Sequence, residues 1–559
     1  MTETPPTPDA VPPRESGWFK AGGHAFFTLR AADVQRHRLC DDLSGMLILV
    51  MLVFSPWAFG TTQPWAIWCM NGAEYGLGAL LLMKLFIRQA RGYVAPRWEN
   101  FSPRTGALTR RPSPATRRLR RVLAGLTLAV LAECLISALN AAANYNVETR
   151  VFEYQPHLAW LPHSFDGHRT WFYFWMYLGL AGAFWAVGDW LAGMTCTEER
   201  RLLTQARSGS PAEAPLLPAR LRSLLWLLCL NGAVLGVEAI VQRAAGSSRL
   251  LFWLQPRVNP GGETQFGPYA YRSNAAQYFN LVWPLSLGFW LTLRHAGGRS
   301  AVKSFWLLLS AAIMAACPVI STSRAGALVA GGMLLAALLY VGWSSLFLPD
   351  ASRQPGPSRW GTAGGMLLFL IVAVALGWHF GWDPLFARLE AIGGGYEGRE
   401  RMYAAAQPMA RDYPLFGTGP GTFATVFQLY RYSYDTFWPE QLHNDWLETL
   451  ITFGWLGLGL LLAALAVVGL RWLAPGRSGG DRRLAAMAWL ALGGCLVEAR
   501  FDFPFQVHST LFLFLVICAI LFNLRRHPGA ARPPTADRPS PGSPSRRRAR
   551  GTQPEPLTS

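Results

Sequence analysis

The sequence predicts an all-α integral membrane protein of about twelve transmembrane helices, and three observations predict it. Apolar runs of about 20 residues, the length a helix needs to cross a bilayer, recur from residue 43 to residue 524. Of the whole chain 51% is hydrophobic and only 15% is charged. Lys and Arg collect in alternate connections between the runs, as they do on the cytoplasmic side of membrane proteins. In hydrocarbon every backbone N–H and C=O must be satisfied within its own segment, so each run must be a helix.

Residues 1–42 are polar, Pro-rich and mixed in charge, with no early apolar core; they predict a cytoplasmic tail and no cleavable signal peptide. Spans are expected near 43–60, 65–87, 119–139, 171–192, 221–242, 275–293, 302–320, 325–347, 362–380, 446–470, 484–499 and 507–524. Segment 84–121 carries 11 Lys and Arg, which sets it inside. Alternation from there leaves 38 of the 51 basic residues in inward segments, with an even helix count and both termini cytoplasmic. Stretches 91–118 and 205–219 become cytoplasmic linkers, and 525–559, rich in Pro, Arg and Ser, a disordered basic tail. The membrane domain is therefore 43–524. The net charge of +18 is mainly a topology signal and an attraction to anionic lipid headgroups, and its placement argues against nucleic acid as a partner. Eight Cys without a CxxC pair, most within apolar runs, argue against a disulfide framework and a zinc site.

Chemistry can sit in the outward segments 140–170, 243–274, 321–324 and 381–445. The last, about 65 residues between the ninth and tenth helices, is long for a compact bundle, and such loops are usually functional. It holds Tyr403–Arg411, which reads as helical, then the Gly-rich stretch Pro414–Gly421, then an aromatic run to Trp438. That stretch lacks the Lys-Ser/Thr of a phosphate-cradling loop, so Gly419 is expected to turn the chain beneath a substrate. At the loop's end stands His443-Asn444-Asp445-Trp446-Leu447-Glu448, followed by an apolar helix. Asp445 and Glu448 resemble a capping pair. His443 then lies at the positive end of a membrane helix, which favours a neutral, proton-accepting imidazole and attracts phosphate. Alone, His443 and Asn444 could equally be polar residues finishing a loop.

The context is more specific. His443-Asn444, nine residues, Gly454, two residues and Gly457 resemble the signature of the O-antigen ligase family, a His-Asn/Ser/Gln pair followed at fixed spacing by two small residues. Gly398-Arg399-Glu400-Arg401-Met402-Tyr403 and Asp412–Gly419 are similar to the segment upstream of that His. Ser321–Gly326 resembles the family's Ser-Arg-Gly/Ala turn between two membrane helices. Together these motifs cover about residues 220–470. The resemblance implies transfer of a glycan from an undecaprenyl diphosphate carrier to an acceptor hydroxyl, with inversion at the anomeric carbon. It implies a site on the periplasmic face of the inner membrane, an acceptor that is lipid A-core or a growing polysaccharide chain, and no cofactor or metal. His443 is then the general base, and Arg324 and Arg399 hold the leaving diphosphate, work for which Arg forks suit better than Lys. Arg399 is preferred to Arg401 because Tyr403 follows it four residues later, as in the family pattern. Arg272, Arg401, Asn444, Asp445, Gly419 and Asp502 are further candidates for binding substrate.

Plainer readings stand beside these. Arg324 could anchor a helix end among headgroups. Arg399 and Arg401, interleaved with Glu397 and Glu400, could line a salt-bridged helix face. Glu498, Arg500 and Asp502 at the last outward turn could form a structural ion pair or touch an acceptor sugar. Asn140, Asn144, Asn146, Trp160 and Trp171 could bind sugars or form an interfacial belt. His157, His163 and His168 match no helix-face metal pair. A metal-dependent membrane glycosyltransferase would need carboxylates in its first outward loop, and Thr61-Thr62-Gln63-Pro64 has none. A flippase for lipid-linked sugars would need ionisable residues in the membrane interior, where Glu133 and Glu238 are exceptions in otherwise apolar spans. Ligation, polymerisation and transfer to protein share the motifs. Arg243, Arg249, Arg257 and Arg272 supply the second basic loop that a polymerase handling two lipid diphosphates would need.

Overall fold

The computed structural model describes residues 28–100, 114–207, 217–295, 301–347, 359–431, 438–473 and 479–524. The tail expected at 525–559, most of the one expected at 1–42, and parts of both linkers lie outside the described residues. The helices are α1 Ala31–Trp57, α2 Pro64–Ala90, α3 Pro114–Leu139, α4 Gly167–Ala192, α5 Cys196–Arg207, α6 Ala219–Ala244, α7 Arg272–His295, α8 Ala301–Ile320, α9 Arg324–Phe347, α10 Arg359–Glu390, α11 Ile392–Asp412, α12 Phe423–Val426, α13 Asp445–Leu473, α14 Gly479–Glu498 and α15 His508–Asn523. Strands β1 (Ala143–Asn146) and β2 (Val151–Tyr154) pair antiparallel, with Tyr145 opposite Phe152.

Each of the twelve predicted runs overlaps one of these helices, and among the described residues six helices (α1, α3, α6, α9, α10 and α13) are long and apolar enough to cross a membrane. Helix α7 fails that test for a physical reason. Every residue from Ser273 to Thr292 is buried, packed chiefly against α8, α14 and α6, so Gln277, Asn280 and Ser286 need not face lipid. A helix enclosed in protein is free of the composition that hydrocarbon imposes.

The two ends of the bundle differ. Where the basic connections gather, Asp189 of α4 takes Lys84 at 3.0 Å, Arg88 at 2.9 Å and also Arg97. Asp41 of α1 takes Lys84 at 3.1 Å and Arg220 of α6 at 2.5 Å. Charges taken from water are tolerated only when paired, so this network fixes how α1, α2, α4 and α6 meet. It also accounts for α1 starting at Ala31, about a dozen residues before the expected span: its early carboxylates are neutralised within the fold.

At the opposite end, the segment expected as one long loop is largely helical. Helix α10 continues to Glu390 and α11 fills 392–412. Ala406 and Met409 of α11 pack on Phe423, Phe427, Leu442 and Ile451, a small apolar core seated on the start of α13. That core carries the residues described next.

Candidate active site

Helix α13 is broken at Gly454, whose φ of +62° and ψ of −168° are closed to side-chain-bearing residues. The hydrogen bonds released by the break go to the Gly-rich stretch. Thr418 N–H donates to the Ile451 carbonyl (2.8 Å) and Gly419 N–H to that of Thr452 (3.1 Å). In return Trp455 N–H donates to the Pro414 carbonyl (2.8 Å) and Leu456 N–H to that of Leu415 (3.1 Å). A Cβ on Gly454 would overlap the Leu415 backbone, and one on Gly417 would lie 2.5 Å from the Thr452 carbonyl carbon. Two sequence motifs, Pro414–Gly421 and the paired small residues after His443, are thus one device that sets the height and angle of the α13 start. Gly419 serves this docking. Its φ is +105° and Ser164 fills the space beside it.

His443 precedes α13 and also has a left-handed backbone, φ +58°, held by the Tyr403 hydroxyl donating to its carbonyl at 2.7 Å. Such strain persists only where surroundings over-determine it, and it collects at functional sites. The imidazole Nδ1 lies 3.0 Å from Asp502 Oδ1. An ionised carboxylate only accepts, so Nδ1 carries the proton and Nε2 is left as the acceptor. Asp502 is 1% exposed against 25% for His443. Burial alone would raise the Asp502 carboxyl; the hydrogen bond and charge of His443, with Arg399, outweigh it and hold the carboxyl below its ordinary value. The Tyr271 hydroxyl donates to Asp502 Oδ2 at 3.3 Å, its ring stacking on Phe503, which meets His443 edge-on at 4.8 Å.

Guanidiniums surround this pair. Arg399 donates to the Phe501 carbonyl (2.5 Å) and comes within 3.5 Å of His443 Nδ1. Arg324, the first residue of α9, follows a turn in which Thr322 again has positive φ (+58°). Arg324, Arg399 and Tyr403 line one cavity of about 600 Å³, whose other walls are apolar residues of α9 and α14 such as Leu328, Met333, Trp489 and Val497. Arg272 opens α7, and its charge is felt with that of Arg324 and Arg399 at Arg388. Arg388, on the last turn of α10, donates to the Thr322 carbonyl and was not singled out from the sequence. A basic residue in a helix's last turn is ordinary, which hides it.

Four of the substrate-binding candidates, Arg401, Asn444, Asp445 and Asp502, stand apart or take another role. Arg401 is 85% exposed beside Glu397 at 3.9 Å, the salt-bridged face that was its plainer reading. Asp445 is buried, and its carboxylate accepts Phe505 N–H (2.7 Å) and Gln506 Nε2 (3.2 Å), which ties α13 to the α14–α15 turn. Asn444 and not Asp445 caps the helix, through Leu447 N–H to Oδ1 at 3.3 Å; Glu448 reaches back to Leu442 N–H at 2.8 Å. Asp502, expected to contact a sugar or form an ion pair, is the partner of His443. Glu498 is buried and accepts from Asn280 (3.3 Å), away from Arg500, which lies over the Tyr403 ring. Among the described residues no group of three or more His, Cys, Asp and Glu could hold a metal ion.

A strained His paired to a buried Asp thus stands beside an apolar-walled cavity lined by arginines, in a helical protein with several helices apolar enough to cross a membrane. Residues 309–462 match the family model of O-antigen ligase, which supports assigning the chain to the O-antigen ligase and polymerase family. That span holds Arg324, Arg388, Arg399, His443, Gly454 and Gly457, while Arg272 and Asp502 lie outside it. No curated protein matches the chain. The family implies a membrane glycan transferase in general, with lipid-linked glycan and lipid A-core or polysaccharide as its classes of substrate.

Proposed function

We propose that the protein transfers a glycan from an undecaprenyl diphosphate carrier to an acceptor hydroxyl on the periplasmic face of the inner membrane, as an O-antigen ligase does. The observation that carries this is the His443–Asp502 pair with Arg399 beside it, next to the cavity that Arg324 and Arg399 line. The acceptor hydroxyl gives its proton to His443 Nε2 as its oxygen attacks the anomeric carbon from the side opposite the carrier. The bond from that carbon to the diphosphate oxygen breaks with inversion, and the diphosphate keeps the electron pair. Arg324 and Arg399 hold the charge that develops there, with Arg272 and Arg388 behind them. Asp502 holds the imidazole in the productive tautomer and stabilises the imidazolium that forms. The apolar walls of α9 and α14 give the carrier tail a path from the bilayer. Arginines do the work of charge neutralisation, and no metal or cofactor enters the proposal.

A polymerase that joins lipid-linked repeat units is the second reading. It draws on Arg243 and Arg272, whose charges reach the same site and exceed what one diphosphate requires. Transport of lipid-linked sugars is a third, resting on Glu133 and Glu238, whose buried carboxylates lack hydrogen-bond partners among the described residues.

The test is carrier release in detergent, with EDTA present and no nucleotide, comparing wild type with His443→Ala. Release by wild type that collapses in a folded variant supports the proposal, and the acceptor consumed separates ligase from polymerase. Binding of the lipid without release for any acceptor overturns it in favour of transport.

A further inference from the structure

The β1–β2 hairpin has no part in the chemistry above, yet it presents an aromatic face at the His443 end of the bundle. The alternation of a strand puts Tyr145, Phe152 and Tyr154 on one side, and Asn146 hydrogen-bonded to Glu153 (2.9 Å) on the other. Tyr145 meets the Phe152 ring at 5.0 Å and Trp438 at 6.1 Å; Phe152 meets Tyr154 at 6.3 Å. Tyr154 is 70% exposed. Tyr413 adjoins Tyr154 and Tyr430, and the Tyr430 hydroxyl donates to Asp412 at 2.7 Å. The platform is fixed, since Ala142 N–H donates to the Ser164 carbonyl (2.7 Å) and Phe165 N–H to that of Thr418 (3.0 Å).

Its position relates it to the site. Trp438 is five residues ahead of His443. Helix α11 carries Tyr403, bonded to His443, and nine residues further Asp412, a rise of about 14 Å. Its chemistry differs from the site. The six rings contribute π faces and phenol hydroxyls beside a carboxylate, and among the described residues no Lys or Arg is stacked on them. An interfacial belt draws its rings from helix ends facing lipid; these rings come from two strands and two loops, and Tyr145, Phe152, Tyr154 and Trp438 meet in ring contacts.

We propose that Tyr145, Phe152, Tyr154, Trp438, Tyr413 and Tyr430 form a saccharide subsite that stacks on sugars several units from the bond being made. The inference rests on the glycan-transfer reading and adds a length dependence to it.

The full-length protein in detergent is assayed with carrier-linked glycans of one or two sugars and of many. Trp438→Ala and Tyr154→Ala are expected to raise KM for the long glycan about tenfold, the loss of one aromatic contact, and to leave kcat and the short substrate unchanged. Trp438→Phe, which keeps a ring, restores most of the loss. Free oligosaccharide cleaved from its carrier is also tested by saturation-transfer NMR, and its signal falls in the Ala variants. Equal effects on short and long substrates, or none on either, overturn the subsite. A wild type that binds free oligosaccharide but never transfers leaves the subsite standing and sinks the transfer reading.

Discussion

At the scale of single residues, His443 owes its role to two neighbours. Tyr403 holds its strained backbone and Asp502 orients its ring. Asp502→Asn keeps the shape but lets the amide accept or donate, so the tautomer is no longer set; steady-state kinetics should show kcat down about a hundredfold or more with little change in KM. A kcat within threefold of wild type would remove Asp502 from the mechanism. The pair also links to acid stability. In wild type the Asp502 carboxyl lies below its ordinary value, so its contribution is present at neutral pH and lost only as pH falls through that lowered value. In His443→Ala burial becomes the leading influence and raises it, so the folded state binds a proton that the unfolded state releases. Stability of the variant should then fall as pH rises. Its melting deficit against wild type should be larger at pH 7.5 than at pH 5, by scanning fluorimetry in detergent; equal deficits would mean that the pair is not coupled. Legibility at this scale followed chain distance. His443, Arg324 and Arg399 stood in short motifs, whereas the link to Asp502 spans 59 residues and no local pattern announces it. Tyr271 and Arg388 went unnoticed because one looked like a loop aromatic and the other like a routine helix-end charge.

At the scale of elements, each of the twelve apolar runs overlaps a helix, because hydrocarbon and a packed bundle both demand length and apolarity, whereas α5 and α12 carry no such run. The hairpin was not legible: four residues of Ala-Asn-Tyr-Asn and four of Val-Phe-Glu-Tyr make too short a pattern, and no Gly marks the turn. The kink in α13 was visible only as spacing. Its meaning, a helix lending two carbonyls to a loop, needs the docked partner. Gly454→Ala puts a methyl into the Leu415 backbone at positive φ, a conformation costing about 1–3 kcal/mol before any clash. The melting temperature should drop, and His443 should lose activity without being touched. Gly459→Ala, where a Cβ meets nothing within 4 Å, is the control and should melt with wild type.

At the scale of the whole molecule, the excess of Lys and Arg at one end predicts a fixed orientation across the membrane. Cys196, exposed on α5, belongs to the basic end, and Trp160 lies before α4 at the other. In single-Cys variants on spheroplasts, an impermeant maleimide should label Trp160→Cys directly and Cys196 only after permeabilisation. The reverse order would invert the topology and place His443 in the cytoplasm. The buried network of Asp41, Asp189, Lys84, Arg88, Arg97 and Arg220 belongs to the same scale. Removing one partner strands the others, and Asp189→Ala should cost about 3–5 kcal/mol, read as loss of folded protein in detergent.

The docking of Pro414–Gly421 onto the broken helix bears on how the lineage can vary. Gly417 and Gly454 are barred from acquiring side chains by backbone that presses on them, though neither reaches a reacting atom. Substitution is therefore expected to be selected against at these sites as at His443, for a wholly different reason. Counting unchanging positions across descendants would rank hinge and base alike, and only a loss of kcat at an unchanged melting temperature tells a position that must take a proton from one that must stay small.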